Sequence, residues 1–241
     1  MLGGAVHRRP LATMLQQYCR SPVPAAAFLA VAGVRINAAT PRGGDKRRGM
    51  HVGGGGGSLW RKPEAGRLKL NFDGSSRQHV SSRSASIGGV VRDHEGRFVL
   101  GYAERIGKGS TSSVAELAAL KRGLELALEH GWRGRALWVE GDAMAAVDAA
   151  RGKGRRRVVS GRAEEDRRLC VEIAEMLPLL ETDDEEEEDG GIMVVSHVGR
   201  AGNTVAHGFA RLGHGAARPK VWRGVPPAEV MKHLHRDAQG E

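Results

Sequence analysis

The chain has 241 residues, 40% hydrophobic and 4% aromatic, with 37 Lys and Arg against 28 Asp and Glu for a formal net charge of +9. That length suits one domain of about 150 residues with flanking segments. Two cysteines, Cys19 and Cys170, exclude a disulfide framework and a paired-cysteine metal centre and favour a reducing compartment, and no apolar run approaches the roughly 18 residues of a membrane helix.

Residues 1–44 contain no Asp or Glu and carry Arg8, Arg9, Arg20, Arg35 and Arg42 among Ala, Leu and Val. This composition fits an organellar transit peptide, which would place the protein in a plastid or mitochondrion. A disordered leader or an over-extended gene model fits it too, and the expected place is then the nucleus or cytoplasm. The Gly-rich stretch Gly43–Ser58 reads as flexible linker. The expected organisation is a basic leader and linker over 1–66, a folded domain over 67–215 and a short C-terminal tail over 216–241.

Within the domain, Leu68, Leu70 and Phe72 alternate with Lys69 and Asn71, which predicts a half-buried strand ended by Asp73-Gly74. A hairpin follows, with arms Ile87–Arg92 and Arg97–Arg105 around the turn Asp93-His94-Glu95-Gly96. The clearest helix carries Val114, Leu117, Leu120, Leu124 and Leu128 on one face, with Ser113 and Glu116 as a capping box and Gly131 as its stop. A short strand then ends at Gly141-Asp142, and two helices follow, the second closing near Pro178. A last strand holds Ile192–Val198, and a final helix runs from Asn203 as N-cap to Gly213 as stop. The acid run Glu181–Asp189 interrupts the last helix–strand link and predicts a disordered loop over 181–191. Three meandering strands leading into βα units give an α/β fold with a mixed sheet flanked by helices.

The charge is unevenly spread. Residues 1–66 carry +8, residues 67–215 carry −1 and residues 216–241 carry +2; eight acids of the domain crowd into Glu181–Asp189, so its remainder is basic. A basic body suits a polyanion such as nucleic acid, although a solvated surface with an acidic loop accounts for the same numbers.

Asp73, Glu116 and Asp142 sit at a strand end, a helix start and a second strand end, which converge at one edge of such a sheet. Converging carboxylates need cations, and hard oxygen ligands suit Mg²⁺ or Mn²⁺. Two such ions can activate water and stabilise the leaving oxygen in phosphodiester cleavage. Each acid also has a plain structural role open to it: a turn residue at Asp73, the capping box at Glu116, a helix N-cap at Asp142.

Five pieces in order, "LNFDGS", "IGGVVRDHEGRFVLGYA", "STSSVAELAALKRGLELALEHG", "WVEGD" and "HVGRAGNTVAHGFARLG", resemble the ribonuclease H type 1 family, especially the plant ribonuclease H-like proteins with a reverse-transcriptase-like domain. "VWRGVPPAEVMKHL" also looks like the tail of plant members. The resemblance implies a ribonuclease H-like fold with a five-stranded mixed sheet. It implies hydrolysis of the RNA strand of RNA–DNA hybrids by two divalent ions, Mg²⁺ or Mn²⁺, with the products ending in 5′-phosphate and 3′-hydroxyl. It makes Asp73, Glu116 and Asp142 the first three metal-holding carboxylates and His197 the family's mobile histidine, assisting proton transfer or product release. Gly74, Ser75, Ser112, Ser113 and Asn203 fall where the family contacts its substrate.

The resemblance breaks at one ligand. Four residues after Asn203 the family places its fourth carboxylate, where this chain has His207, and residues 198–228 contain no acid to replace it. A neutral imidazole could bind Mn²⁺ or carry a proton, so His207 is the fourth candidate metal residue. Three readings follow: a ribonuclease H-like nuclease, a nucleic-acid binding module with a degraded active site, and a retroelement remnant. The expected partner is nucleic acid, with the chain acting as a monomer away from membranes. Arg155, Arg156 and Arg157 are candidate phosphate contacts or equally a solvated loop, and Trp132, Trp138 and Trp222 are expected to pack rather than stack on bases.

Overall fold

The computed structural model describes residues 59–79, 82–107, 110–152, 163–181 and 193–239. The leader and most of the linker, Arg155–Arg157 and nearly all of the acid run lie outside the described residues. The chain divides into two units, Met1–Arg35 and Ile36–Glu241, and every described residue belongs to the second.

The elements of that unit are β1 (Leu68–His79), β2 (Ser82–Arg92), β3 (Phe98–Ile106), α1 (Ser112–Glu129), β4 (Leu137–Gly141), α2 (Met144–Ala150), α3 (Ala163–Met176), β5 (Val194–His197), α4 (Thr204–Gly213), β6 (Lys220–Arg223) and α5 (Ala228–Gln239). They build one six-stranded sheet in the order β5-β4-β1-β2-β3-β6. The β1–β2, β2–β3 and β3–β6 pairs are antiparallel, whereas β1–β4 and β4–β5 are parallel. The mixed sheet with flanking helices forms as the resemblance implies, with six strands rather than the expected five. The extra strand, β6, comes from residues expected to form only a tail, and it covers the free edge of β3.

One strand prediction changes. β1 does not stop at Asp73-Gly74 but continues to His79, because β2 supplies a continuous antiparallel partner from Lys69↔Arg92 to His79↔Ser82. Asp73 therefore projects from the middle of a strand. The β2–β3 turn forms where expected: Gly96 takes φ 84°, and Asp93 accepts from the backbone N–H groups of Glu95 and Arg97.

Alternation divides the core between the two faces of the sheet. Leu70, Phe72, Ile87, Val91, Leu100 and Tyr102 pack with Leu117, Leu120 and Leu124 of α1 and with Ile173 of α3. On the opposite face, Val90 meets Val205 and Phe209 of α4 and Val230 of α5. Gly88 makes that contact possible, since a Cβ there would lie 2.1 Å from the Ala210 nitrogen.

A buried polar network ties the strands together one rung behind the candidate site. Glu140 accepts from Lys69 (3.1 Å), Asn71 (3.1 Å) and Ser196 (2.8 Å), joining β4 to β1 and β5. Lys69 lies over the Trp138 ring at 3.5 Å, and Trp138 donates its indole N–H to Ser196. Burial holds the Lys69 ammonium below its ordinary pKa despite Glu140. Asn71 Oδ1 accepts from Trp60 and Arg92, and Arg92 in turn donates to Asp237 of α5 at 2.7 Å. Trp60 and α5 are thus joined to the central strands through Arg92, whose guanidinium stacks on Trp60 at 3.5 Å. Trp132 stacks on His130 and Trp222 packs against Phe209, in keeping with packing roles.

Candidate metal centre and its surroundings

Asp73, Glu116 and Asp142 converge as the sequence predicts. Each offers a carboxylate oxygen, and these three atoms lie within 4.8 Å of one another. β1 contributes Asp73, α1 brings Glu116, and Asp142 follows β4. The helix can approach because Gly74 has no side chain: a Cβ there would sit 2.4 Å from the Ala115 carbonyl carbon and the Glu116 nitrogen. The Gly74 N–H donates to Glu116 Oε2 at 3.1 Å and fixes the carboxylate.

That bond replaces the expected capping box. The N-cap is Thr111, whose hydroxyl accepts from the Val114 N–H, so Glu116 lies beyond the capping position. Ser113 donates instead to Asp166 of α3 at 3.0 Å, while Ser112 stands exposed at the start of α1.

The acids carry more negative charge than their protein neighbours neutralise. Burial, followed by the Asp73 and Asp142 charges, pushes Glu116 up to about 8. Burial also raises Asp73, against the opposing hydrogen bond from His207. The one arginine within ion-pair range of the triad among the described residues, Arg200, is 96% exposed and 3.7 Å from Asp142, so water screens it.

Asn203 is 2% exposed. Its amide N–H₂ donates to the Phe72 carbonyl (2.9 Å) and to Asp142 Oδ1 (3.2 Å). It occupies the N-cap position of α4 without a side-chain capping bond, contrary to expectation, because the amide is turned toward the strands. Its buried Oδ1 has no hydrogen-bond partner. Ser75, two residues along β1 from Asp73, pairs with His214 Nε2 at 3.0 Å.

The two histidines of the opening resemblance sit differently. His197 ends β5, is exposed, and places Nε2 3.1 Å from the Asp142 carbonyl oxygen. His207 lies in the first turn of α4, with Nδ1 3.0 Å from Asp73 Oδ2. That hydrogen bond is the largest influence holding the imidazole above its ordinary pKa. The three-carboxylate group does not extend to His207; its ring nitrogen is spent on one of the carboxylates.

The donor set fits a hard divalent cation: three carboxylate oxygens in one small volume, uncompensated charge and an orphaned amide oxygen beside them. A mixed sheet of this order with acids on β1, α1 and just after β4 is the arrangement that the ribonuclease H resemblance implies. Residues 71–181 match the family model described as reverse transcriptase-like. Among solved structures, ribonuclease H1 from the halophilic archaeon Halobacterium salinarum is 25% identical, covering 61% of this chain and 96% of that one, with a TM-score of 0.47. LC11 ribonuclease H1, crystallised in complex with an RNA/DNA hybrid, is 22% identical over 62% of this chain and 97% of its own, with a TM-score of 0.47. The N-terminal ribonuclease H domain of a Mycobacterium tuberculosis protein is 22% identical over 62% and 96%, with a TM-score of 0.46. No curated protein matches the chain. Among the described residues, no helix is long and apolar enough to cross a membrane.

Two features of the surroundings escape the sequence reading. One is the Trp60–Arg92–Asp237 link, whose members lie 32 and 145 residues apart in sequence. The other is a group of arginines around His214. Both depend on side chains that only the sheet brings together.

Proposed function

We propose that this chain is a ribonuclease H-like nuclease that hydrolyses the RNA strand of RNA–DNA hybrids with divalent-ion assistance, leaving 5′-phosphate and 3′-hydroxyl ends. The convergence of Asp73, Glu116 and Asp142 within 4.8 Å carries the reading. The substrate class follows from the motif resemblance.

Asp73, Glu116 and Asp142 would hold Mg²⁺ or Mn²⁺, which when bound supplies Lewis-acid activation and charge neutralisation at the phosphodiester. Around them, the Gly74 N–H orients Glu116 and the Asn203 amide orients Asp142. His197, exposed beside Asp142, moves a proton to or from the departing product. Gly74, Ser75, Ser112 and Ser113 would meet sugar and phosphate groups, with the Ser75 hydroxyl held by His214 and that of Ser113 by Asp166; such contacts read the shape and 2′-hydroxyls of a hybrid rather than its bases.

The two-ion scheme requires a second cation beside Asp73, and His207 engages the Asp73 oxygen facing it. This observation favours a second reading, in which the domain binds nucleic acid without useful turnover. Incubating the full chain with an end-labelled hybrid in Mg²⁺, and separately in Mn²⁺, distinguishes them. The nuclease reading expects cleavage in at least one of the two metals, and that it disappears in Asp73→Asn. An intact hybrid in both metals, with measurable binding, establishes the binding module.

A further inference from the structure

Beyond the acidic triad, the same face of β1, together with β3 and α4, carries a group of cations. Asp73, Ser75 and Arg77 alternate along β1 and so share one face. His207 and Arg211 lie one turn apart on α4. The two lines meet at His214, only 6% exposed, whose ring bridges Ser84 Oγ through Nδ1 and Ser75 Oγ through Nε2, both at 3.0 Å. Ser84 is the cross-strand neighbour of Arg77. Arg105, on β3, donates from Nε and Nη2 to the His214 carbonyl oxygen. Arg211 belongs to the turn that ends in His214, and its carbonyl accepts the His214 N–H.

Arg77, Arg105 and Arg211 are all exposed, and among the described residues none makes an ion pair with a carboxylate. Together they hold the buried imidazole below its ordinary pKa, after the larger effect of burial. His214 is a buried strut, with a serine hydroxyl at each ring nitrogen, that fixes the floor beneath the arginines. Three like charges gathered without counter-ions are unfavourable unless an anion joins them. Two residues along a strand cover roughly 7 Å, and successive phosphates of one nucleic-acid strand are spaced by about 3.4 Å of helix axis. The arginines thus stand a few phosphates from the triad along the same face.

We propose that Arg77, Arg105 and Arg211, built on the Ser75–His214–Ser84 bridge, form a ledge that grips backbone phosphates of the nucleic acid adjacent to the acidic site. This deepens the nuclease reading and rests on it for the identity of the polyanion. The sequence offers little hint of the ledge, because its members come from β1, β2, β3 and α4.

The test is equilibrium binding of a fluorescent RNA–DNA hybrid by the full chain, without divalent ions, across a series of salt concentrations. The doubly substituted Arg77→Gln/Arg211→Gln protein changes two exposed side chains and leaves the Arg105–His214 contact in place. It should bind about tenfold more weakly at low salt, and its slope of log affinity against log salt should be shallower by about 1.5. Arg133→Gln/Arg168→Gln removes equal charge away from the ledge and should keep the native slope. If the ledge variant matches wild type, or if both variants lose slope equally, the ledge is overturned while hybrid binding stands. Wild-type protein that does not bind the hybrid even at low salt overturns the ledge and the nuclease reading together.

Discussion

Asp73 meets two demands at once. It offers one carboxylate oxygen to the group formed with Glu116 and Asp142, and it accepts from His207 at 3.0 Å. An aspartate in place of His207 would free Asp73 and add charge where a second cation needs it. His207→Asp should therefore raise the Mg²⁺-dependent cleavage rate by about tenfold or more, the scale on which groups next to metal ligands act. An unchanged rate in steady-state kinetics would place His207 outside the reaction. The same residues predict how stability depends on pH. Glu116 rises from 4.5 to about 8 in the folded chain. Over that interval the folded state binds more protons than the unfolded state, so stability falls as pH rises. His207, also raised, acts in the same direction: its contribution is complete below its ordinary 6.5 and is lost as pH climbs through the folded value. Metal-free protein should show a Tm that declines between about pH 5 and pH 8. Adding Mg²⁺ or Mn²⁺ should flatten that decline, because the cation stabilises the ionised carboxylates. A metal-insensitive Tm profile in differential scanning fluorimetry would show that the acids hold no ion.

At the scale of elements, the site was legible where chemistry and periodicity coincide, and illegible where packing decides. The three acids could be read because each follows or opens a patterned segment. The end of β1 was misplaced because Asp-Gly is ordinary turn chemistry, whereas here Gly74 serves the close approach of α1. The α1 cap is Thr111 rather than Ser113 because four consecutive hydroxyl residues, Ser110 to Ser113, satisfy the same local rule, and Thr111 is the one that bonds the Val114 N–H. β6 has four residues and partly exposed side chains, so no alternation announces it; the open edge of β3 defines it. α5 is held by Val230 in the second core and by the Arg92–Asp237 pair. Asp237→Ala would leave a buried guanidinium unpaired, and urea unfolding should show a loss of about 3–5 kcal/mol. Gly88→Ala would press against the backbone of α4 and should cost about 1–3 kcal/mol by the same measurement, with weaker divalent-ion binding as His207 and Asn203 shift. Near-native values for either variant would mean that α4 and α5 are not anchored as described.

For the molecule as a whole, the positive charge has two locations with different meanings. Residues 1–66 carry most of the net excess, while the described unit concentrates exposed arginines beside an acidic centre. Opposite charges set side by side suit a polyanion held by its backbone and presented to a cation-requiring site. Net charge alone could not separate that arrangement from a generally basic surface; the sheet register does, by placing Arg77 on the face of Asp73 and opposite Ser84. The most direct measurement is a single-turnover assay in Mn²⁺ with hybrids labelled on either the RNA or the DNA strand. The RNA strand should be cut to 3′-hydroxyl ends, the DNA strand should stay intact, and Asp142→Asn should lower the rate by about a hundredfold or more. Cleavage of both strands alike, or equal rates for wild type and Asp142→Asn, would contradict the nuclease reading.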